Sequence, residues 1–242
     1  MKKLIITCII FTMSLSVNAQ SWWNSKKVRG NGNVTTETRR TSDYDGVSFG
    51  GSFDVVLVKG KEGRITIKGE ENLLKYIETE VKRGVLKIKV KKGVNLRMTR
   101  KMVVTVPYQD IEKVSLSGSG DLTSNGTIKA DSFSLSVAGS GNMRLDVEAN
   151  NIKSNIAGSG NIKLSGSADE LTCVIAGSGD INAYDLKAKS TSAKIAGSGN
   201  IKTSVSDKIS AKVVGSGNIY YKGSPDKIES KALGSGSIIS RN

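Results

Sequence analysis

Apolar and polar residues alternate along most of this chain, in short runs that stop at glycine. Leu135-Ser136-Val137 and Asn161-Ile162-Lys163-Leu164 are examples. A period of two places one set of side chains on one face of a strand. The same alternation predicts strands at Val55 to Val58, Arg64 to Lys68, Val85 to Val90 and Met102 to Val106. One segment breaks the pattern. Glu70 to Val81 places Leu73, Leu74, Ile77 and Val81 on one side of a short amphipathic helix. Glu70 and Glu71 stand at its start, where the helix dipole favours acids.

The glycines that end the strands are periodic. Gly-Ser-Gly occurs seven times, beginning at Gly118, Gly139, Gly158, Gly177, Gly197, Gly215 and Gly234, with spacings of 21, 19, 19, 20, 18 and 19. A period near 19 over six intervals means stacked units. Two residues before the first glycine stand Leu116, Val137, Ile156, Ile175, Ile195, Val213 and Ala232. Four before it stand Val114, Leu135, Ser154, Cys173, Ala193, Ala211 and Ser230. Both columns fall on one strand face. After the glycines comes Asp121, Asn142, Asn161, Asp180, Asn200 or Asn218, then Ser237 in the last copy. An apolar residue always comes next: Leu122, Met143, Ile162, Ile181, Ile201, Ile219 and Ile238. Glycine suits a corner that needs positive φ or close backbone approach. Ser165 to Asp169 reads as a second turn.

No such unit can bury its apolar columns alone. Coils stacked at the inter-strand spacing can, and the six intervals of the seven corners make a rod of roughly 29 Å. No copy has a helical pattern, which excludes leucine-rich and ankyrin repeats, and propeller blades need longer units. The prediction is all-β: a parallel β-solenoid, a single-stranded β-helix, with one short helix in its N-terminal part. Right-handed crossovers are the general preference between parallel strands. The residue after each Gly-Ser-Gly should form an Asn/Asp ladder, with Asp121 and Asp180 three coils apart. Gly30-Asn31-Gly32-Asn33-Val34 and Gly50-Gly51-Ser52-Phe53-Asp54-Val55 resemble degenerate corners of the same solid. The chain thus divides into a leader peptide at 1–19, a flexible stretch at 20–29, degenerate capping coils at 30–113 and the regular repeat at 114–242. The change of style falls near Pro107 to Lys113.

Met1-Lys2-Lys3, the apolar run Leu4 to Leu15 and the small residues of Val17-Asn18-Ala19 fit a secretory signal cleaved after Ala19. The alternative is an uncleaved N-terminal anchor. The run is short for a membrane span, and no later segment could cross a bilayer. The mature chain is expected to be periplasmic, outer-membrane-associated or extracellular. It keeps one cysteine, Cys173, so no internal disulfide can form. Cys173 falls in an inward column and reads as a small buried residue. Trp22 and Trp23 come after the cleavage site and could touch a membrane interface or pack on the first coil.

Composition narrows the chemistry. Among 242 residues there is no His, which removes Ser-His and Cys-His nucleophile pairs and His-ligated metals. Two cysteines are too few for a Cys-rich metal site. No catalytic residue, metal site or cofactor is expected. Calcium-binding nonapeptide repeats use Asp every nine residues, whereas this repeat is about twice as long and mostly uses uncharged Asn. Phosphate loops open a helix, whereas Gly-Ser-Gly here joins two strands.

The run of Gly-Ser-Gly-[Asp/Asn]-[Ile/Leu] corners, Phe53-Asp54-Val55, Val104-Thr105-Val106-Pro107 and Ile219-Tyr220-Tyr221-Lys222-Gly223-Ser224-Pro225 together resemble the DUF2807 family. That family is described as a putative auto-transporter adhesin head, or GIN domain, of exported Bacteroidetes proteins. The resemblance spans about residues 29 to 240. It implies a pectin-lyase-like β-helix without known catalytic residues and an adhesive role.

Charge offers a binding surface. The formal net charge is +14. Residues 82–101 carry nine Lys or Arg and no acid, and Lys87, Lys89 and Lys91 alternate with Leu86, Ile88 and Val90. That stripe could engage acidic glycans, lipopolysaccharide or anionic lipid headgroups, or it could be a lysine-guarded edge. Nucleic acid is disfavoured, because aromatics are only 5% and no stacking platform is evident. The expected function is non-enzymatic: an exported solenoid in adhesion or envelope contact, with cell-surface glycans or other envelope components as partners. The alternative is a carbohydrate-active lyase or hydrolase on acidic polysaccharide. Hydrolysis needs two carboxyls about 5–9.5 Å apart, and Asp146 with Asp169 or Asp131 with Glu148 are the lateral candidates.

Overall fold

The computed structural model describes residues 25–242. The expected leader peptide, Trp22 and Trp23 lie outside the described residues. Ten strands precede the regular repeat: β1 (Lys26–Arg29), β2 (Val34–Arg40), β3 (Gly46–Gly51), β4 (Asp54–Lys59), β5 (Arg64–Glu70), β6 (Ile77–Lys82), β7 (Val85–Val90), β8 (Val94–Arg97), β9 (Val103–Tyr108) and β10 (Lys113–Gly118). The helix α1 (Glu71–Leu74) lies between β5 and β6. The coils come next as β11 (Asp121–Gly139), β12 (Asn142–Gly158), β13 (Asn161–Gly177), β14 (Asp180–Gly197) and β15 (Asn200–Gly215). The last coil is split into β16 (Asn218–Lys222), β17 (Lys227–Leu233) and β18 (Ile238–Ser240).

The chain is a parallel β-solenoid. From β10 onward every strand pairs in parallel with the coil one repeat away. First glycines stack on first glycines in register: Gly118 on Gly139, then Gly158, Gly177, Gly197 and Gly215. The inward columns obey the alternation. Leu116, Val137, Ile156, Ile175, Ile195 and Val213 are all buried, as are Val114, Leu135, Ser154, Cys173, Ala193 and Ala211. Each large apolar side chain in these columns contributes about 1.5–3 kcal/mol by leaving water.

The corner dictates its residues. First glycines in the seven copies have φ between +114° and +139°. A Cβ on Gly158 would lie 2.4 Å from the Gly139 carbonyl oxygen directly beneath it. Positive φ and backbone contact thus exclude any side chain there. The stacked backbones also bond. The Gly139 carbonyl accepts from the Ser159 amide at 2.9 Å and the Gly160 amide at 3.0 Å, and the pattern recurs from coil to coil.

The second expected turn, Ser165 to Asp169, lies within β13, with Ala168 buried. The chain bends there while both ladders continue, because Gly166 (φ +113°) sits over the Val147 carbonyl. Variation in coil length is absorbed in the stretch after the corner. Register shifts fall at Thr123/Thr127, Lys163/Ser165, Ala183/Lys187 and Ala188/Ser190, and none falls at a Gly-Ser-Gly corner.

The parallel stack extends into the N-terminal half. β3 pairs with β10 and β7, and β4 pairs with β11 and β9, all parallel. Gly51-Ser52-Phe53-Asp54 is therefore another corner, with Phe53 where the second glycine would stand. Beyond it the direction reverses. β6 runs antiparallel to β7, β5 to β9, and β2 to β5.

Two expectations are corrected here. The helix occupies only Glu71–Leu74, and Ile77 to Lys82 is a strand. Ile77-Glu78-Thr79-Glu80-Val81 alternates with period two, and pairing with β7 wins over the helical reading. Gly30 to Val34 is not a coil corner. It wraps Glu70 and leads into β2, which is antiparallel.

Candidate functional site

The residue after each corner points outward and builds a ladder along the rod. Asn142 Nδ2 donates to Asp121 Oδ1 at 2.8 Å, and Asn161 Nδ2 donates to Asn142 Oδ1 at 2.8 Å. Asn200 Nδ2 donates to Asp180 Oδ1 at 2.9 Å, Asn218 Nδ2 to Asn200 Oδ1 at 3.3 Å, and the Ser237 amide to Asn218 Oδ1 at 3.0 Å. Each amide gives its hydrogen toward the N-terminal end. A carboxylate has no hydrogen to give, so each Asp is a terminus that only accepts.

The ladder starts one coil earlier than the Gly-Ser-Gly count suggests. Asp54 lies beneath Asp121, whose amide donates to Asp54 Oδ1 at 3.1 Å. Two carboxylates are therefore adjacent. Lys101 offsets the repulsion, with Nζ 2.5 Å from Asp54 Oδ2, and its own pKa is raised by Asp54 and, less, by Asp121.

Two residues further along each strand lies a second outward column: Thr123, Arg144, Lys163, Asn182, Lys202 and Tyr220, in register. Together with the ladder it forms a groove of about 980 Å³ running along the rod. Tyr184, Lys222 and Arg241 enclose its C-terminal part. Lys222 Nζ stands 4.6 Å from the Tyr184 ring centre, and the Arg241 guanidinium stands 5.2 Å from that of Tyr220. Lys163 pairs with Asp185 at 2.9 Å. Among the described residues Arg144, Lys202, Lys222 and Arg241 make no ion pair. Five cations thus line the groove against two ladder carboxylates, Asp121 and Asp180.

A second groove of about 1040 Å³ flanks the other bend, over Ala149, Ala168 and Ala188. Four of its charges pair off, Lys129 with Glu148 at 2.9 Å and Lys189 with Asp169 at 2.8 Å, while Lys187 and Lys222 make no ion pair among the described residues. Asp131 takes a hydrogen bond from Asn150 Nδ2 at 2.5 Å. Of the lateral carboxylates considered for hydrolysis, Asp131 is thus held by an amide, and Glu148 and Asp169 by lysines.

The basic stripe sits elsewhere. Lys87 and Lys89 point outward from β7, near the N-terminal end, and lie opposite Glu80 and Glu78 of β6. Lys89 Nζ is 3.4 Å from Glu78 Oε2. Lys91 comes directly after β7, and its amide donates to the Tyr76 carbonyl at 2.8 Å. The free edge at this end is β6, not β7. The structural corners Gly118 to Gly234 offer no spare anion nest, since their Ser and second-Gly amides bond mostly to the preceding coil. Cys173 is buried, and burial pushes its thiol up to about 12. Among the described residues no group of three potential metal ligands occurs, and no helix is long and apolar enough to cross a membrane.

The groove column was missed in the sequence although its signal was present. Aligned on the first glycine, position +5 reads Thr, Arg, Lys, Asn, Lys, Tyr and Ile. A clustered run of lysines draws attention first, whereas three cations spread over seven copies become a surface only after stacking.

The chain matches the family described as "DUF2807: Putative auto-transporter adhesin, head GIN domain" over residues 43–225. A crystal structure of a "putative adhesin" from Bacteroides fragilis superposes with a TM-score of 0.85 at 24% identity, covering 88% of this chain and all (100%) of that one. A "putative lipid binding protein" from Parabacteroides distasonis gives a TM-score of 0.75 at 31% identity, covering 90% of this chain and 100% of that one. A second protein of that organism, a "putative adhesin", gives 0.71 at 26% identity, covering 89% and 100%. No curated protein matches the sequence.

Proposed function

The chain belongs to the DUF2807 family, and from that premise we propose that it is an exported, non-enzymatic adhesive solenoid whose ladder groove binds acidic glycan. The carrying observation is the excess of unpaired cations in that groove: Arg144, Lys202, Lys222 and Arg241 beside an amide ladder in two runs, each begun by an Asp. Amides supply both donors and acceptors to sugar hydroxyls. Cations distributed along the groove attract the carboxylates or sulfates of a polyanion. Each contact is weak, and their repetition along one rigid line makes binding multivalent. Tyr184 and Tyr220 add flat apolar faces at the C-terminal part of the groove.

Family and neighbours carry adhesin names, which support adhesion, and the P. distasonis lipid-binding name suggests an anionic headgroup as an alternative ligand of the same surface. The test is titration of residues 20–242 with polygalacturonate, a neutral dextran and anionic vesicles. Polygalacturonate should bind in a salt-sensitive manner, dextran should not, and Arg144→Ala with Lys202→Ala should weaken binding about tenfold or more. Neutralising Lys87, Lys89 and Lys91 should change it little. Binding lost only in the stripe variant would overturn the groove assignment. Release of new reducing ends or unsaturated sugars would establish the lyase or hydrolase reading instead.

A further inference from the structure

The ladder breaks once inside the groove. Asn142, Asn161 and Asp180 follow one another in register. Asn161 gives its Nδ2 hydrogen to Asn142 Oδ1 at 2.8 Å, so its own Oδ1 is left for the next coil. There it meets Asp180, a carboxylate with no hydrogen to return. Asp180 Oδ1 is taken from the other side, by the Asn200 backbone amide at 2.7 Å and by Asn200 Nδ2 at 2.9 Å. Among the described residues no hydrogen bond or ion pair reaches Asn161 Oδ1 or Asp180 Oδ2. Lys163, on the same strand face as Asn161, is held by Asp185 at 2.9 Å. Acceptor thus faces acceptor across one strand spacing of about 4.8 Å.

The other carboxylate joint of the ladder shows what is missing. Where Asp54 meets Asp121, the Asp121 amide donates to Asp54 Oδ1 at 3.1 Å and Lys101 Nζ stands 2.5 Å from Asp54 Oδ2. The chain supplies its own donors there and supplies none between Asn161 and Asp180. Both of these side chains are exposed, so the donors can come from a ligand. Two acceptors call for two hydrogens. Neighbouring sugar hydroxyls have them, one O–H for each oxygen. An ammonium group has them too, but five cations line this groove against two carboxylates and repel it. The joint also lies midway between two unpaired cations. Arg144, Lys163, Asn182 and Lys202 are in register on successive coils, which sets Arg144 and Lys202 about 14 Å apart along the rod.

We propose that the Asn161–Asp180 joint is the sugar-reading subsite of the groove: it takes two neighbouring hydroxyls of an acidic glycan whose acidic groups on either side reach Arg144 and Lys202. The subsite rests on the groove binding acidic glycan. It adds a selectivity that cations alone do not give. Arg and Lys attract any polyanion, whereas the joint accepts hydrogens only from unsubstituted hydroxyls.

Calorimetric titration of residues 20–242 with polygalacturonate, and with the same polymer O-acetylated on its ring hydroxyls, tests this. Acetylation keeps the carboxylates and removes the hydrogens. The acetylated polymer should bind wild type about tenfold more weakly. Asp180→Asn should bring the two polymers within about twofold of each other, because its new Nδ2 fills Asn161 Oδ1 and its one oxygen is held by Asn200. Asp121→Asn removes a like charge from the same groove and should strengthen both polymers without changing their ratio. Both variants put Asn where other rungs already carry it, and thermal melts should show them folded like wild type. Equal binding of the two polymers to wild type, a preference that survives Asp180→Asn, or one lost equally in Asp121→Asn would overturn the subsite and leave the groove's affinity for polyanions standing. No binding of either polymer would overturn both.

Discussion

Ile209 and Ile228 occupy the same inward column one coil apart, yet the first is fully buried and the second is 51% exposed. At the opposite end, Leu86 and Ile88 of β7 occupy the corresponding face and are fully buried. The difference lies in the path the chain takes beyond each end coil. At the N-terminal end the chain turns back: β6 runs antiparallel over β7, β5 and β2 run antiparallel beyond β9, and α1 brings in Leu73 and Leu74. At the C-terminal end, among the described residues, β17 pairs with β15 and with no other strand. A parallel coil cannot cover its own last layer, because every further copy exposes a new one. Only a change of direction or a partner can close the stack.

The reversed end is held by one buried carboxylate. Glu70 is inaccessible to water and accepts hydrogen bonds from the Gly32 amide at 2.7 Å, the Thr99 hydroxyl at 2.6 Å, and the Thr99 and Arg100 amides at 2.8 and 3.2 Å. Burial alone would raise its pKa, but these hydrogen bonds outweigh it and bring the value down to about 2. Gly30 leaves room for the carboxylate, since a Cβ there would lie 2.0 Å from Oε2.

The largest expected effect lies in the interior that both ends share. Gly158→Ala should cost about 3–5 kcal/mol in urea unfolding, from positive φ plus a backbone clash. Gly126 also has positive φ (+99°) but nothing within 4 Å of a Cβ, so Gly126→Ala should cost only about 1 kcal/mol. Equal losses would mean that the stacked carbonyl is not what excludes a side chain.

Ile209→Ala should cost about 3 kcal/mol, and the identical change at Ile228 less than about 1 kcal/mol. Equal costs would erase the distinction between covered and open ends.

Glu70→Gln should lose about 2 kcal/mol at pH 7. The folded pKa is depressed, so the stabilisation is present above the ordinary value of 4.5 and disappears as pH falls toward about 2. Unfolding curves of wild type and variant should therefore converge over that range. A constant gap would show that shape rather than charge holds the end.

The smallest effect expected is a gain. The Ser154 hydroxyl is buried without a hydrogen-bond partner among the described residues, between Leu135 and Cys173 in its column. Ser154→Ala should stabilise by about 1 kcal/mol, measured as a raised urea midpoint.

These contrasts also separate what the residues announce from what only packing decides. The regular coils were legible because each column repeats the same local rule: apolar at −2 and mostly small at −4, glycine where backbones touch. The N-terminal half obeys no repeated rule. Phe53 replaces a glycine at a corner that only the flanking Gly51-Ser52 and Asp54 disclose, and Glu70 looks like a helix start although its carboxylate serves residues far along the chain. Glu70-to-Val81 carried both periods, and the partner strand β7 decided between them. In the candidate site, the ladder was legible as a column of Asn and Asp. Its cationic neighbours were hidden by their spacing, and the more conspicuous lysines of β7 face glutamates that only the antiparallel pairing brings near.

The register shifts give the rod a property that its corners deny it. All departures from strict periodicity sit in one stretch after the corner, and the Gly-Ser-Gly edge stays locked. That stretch works as an expansion joint: extra residues can bulge outward there while the seam holds the layers aligned. Foreign peptides grafted beside Gly126 should accordingly be displayed without disturbing the coils on either side, making the molecule a ruler on which new surfaces can be mounted at known heights.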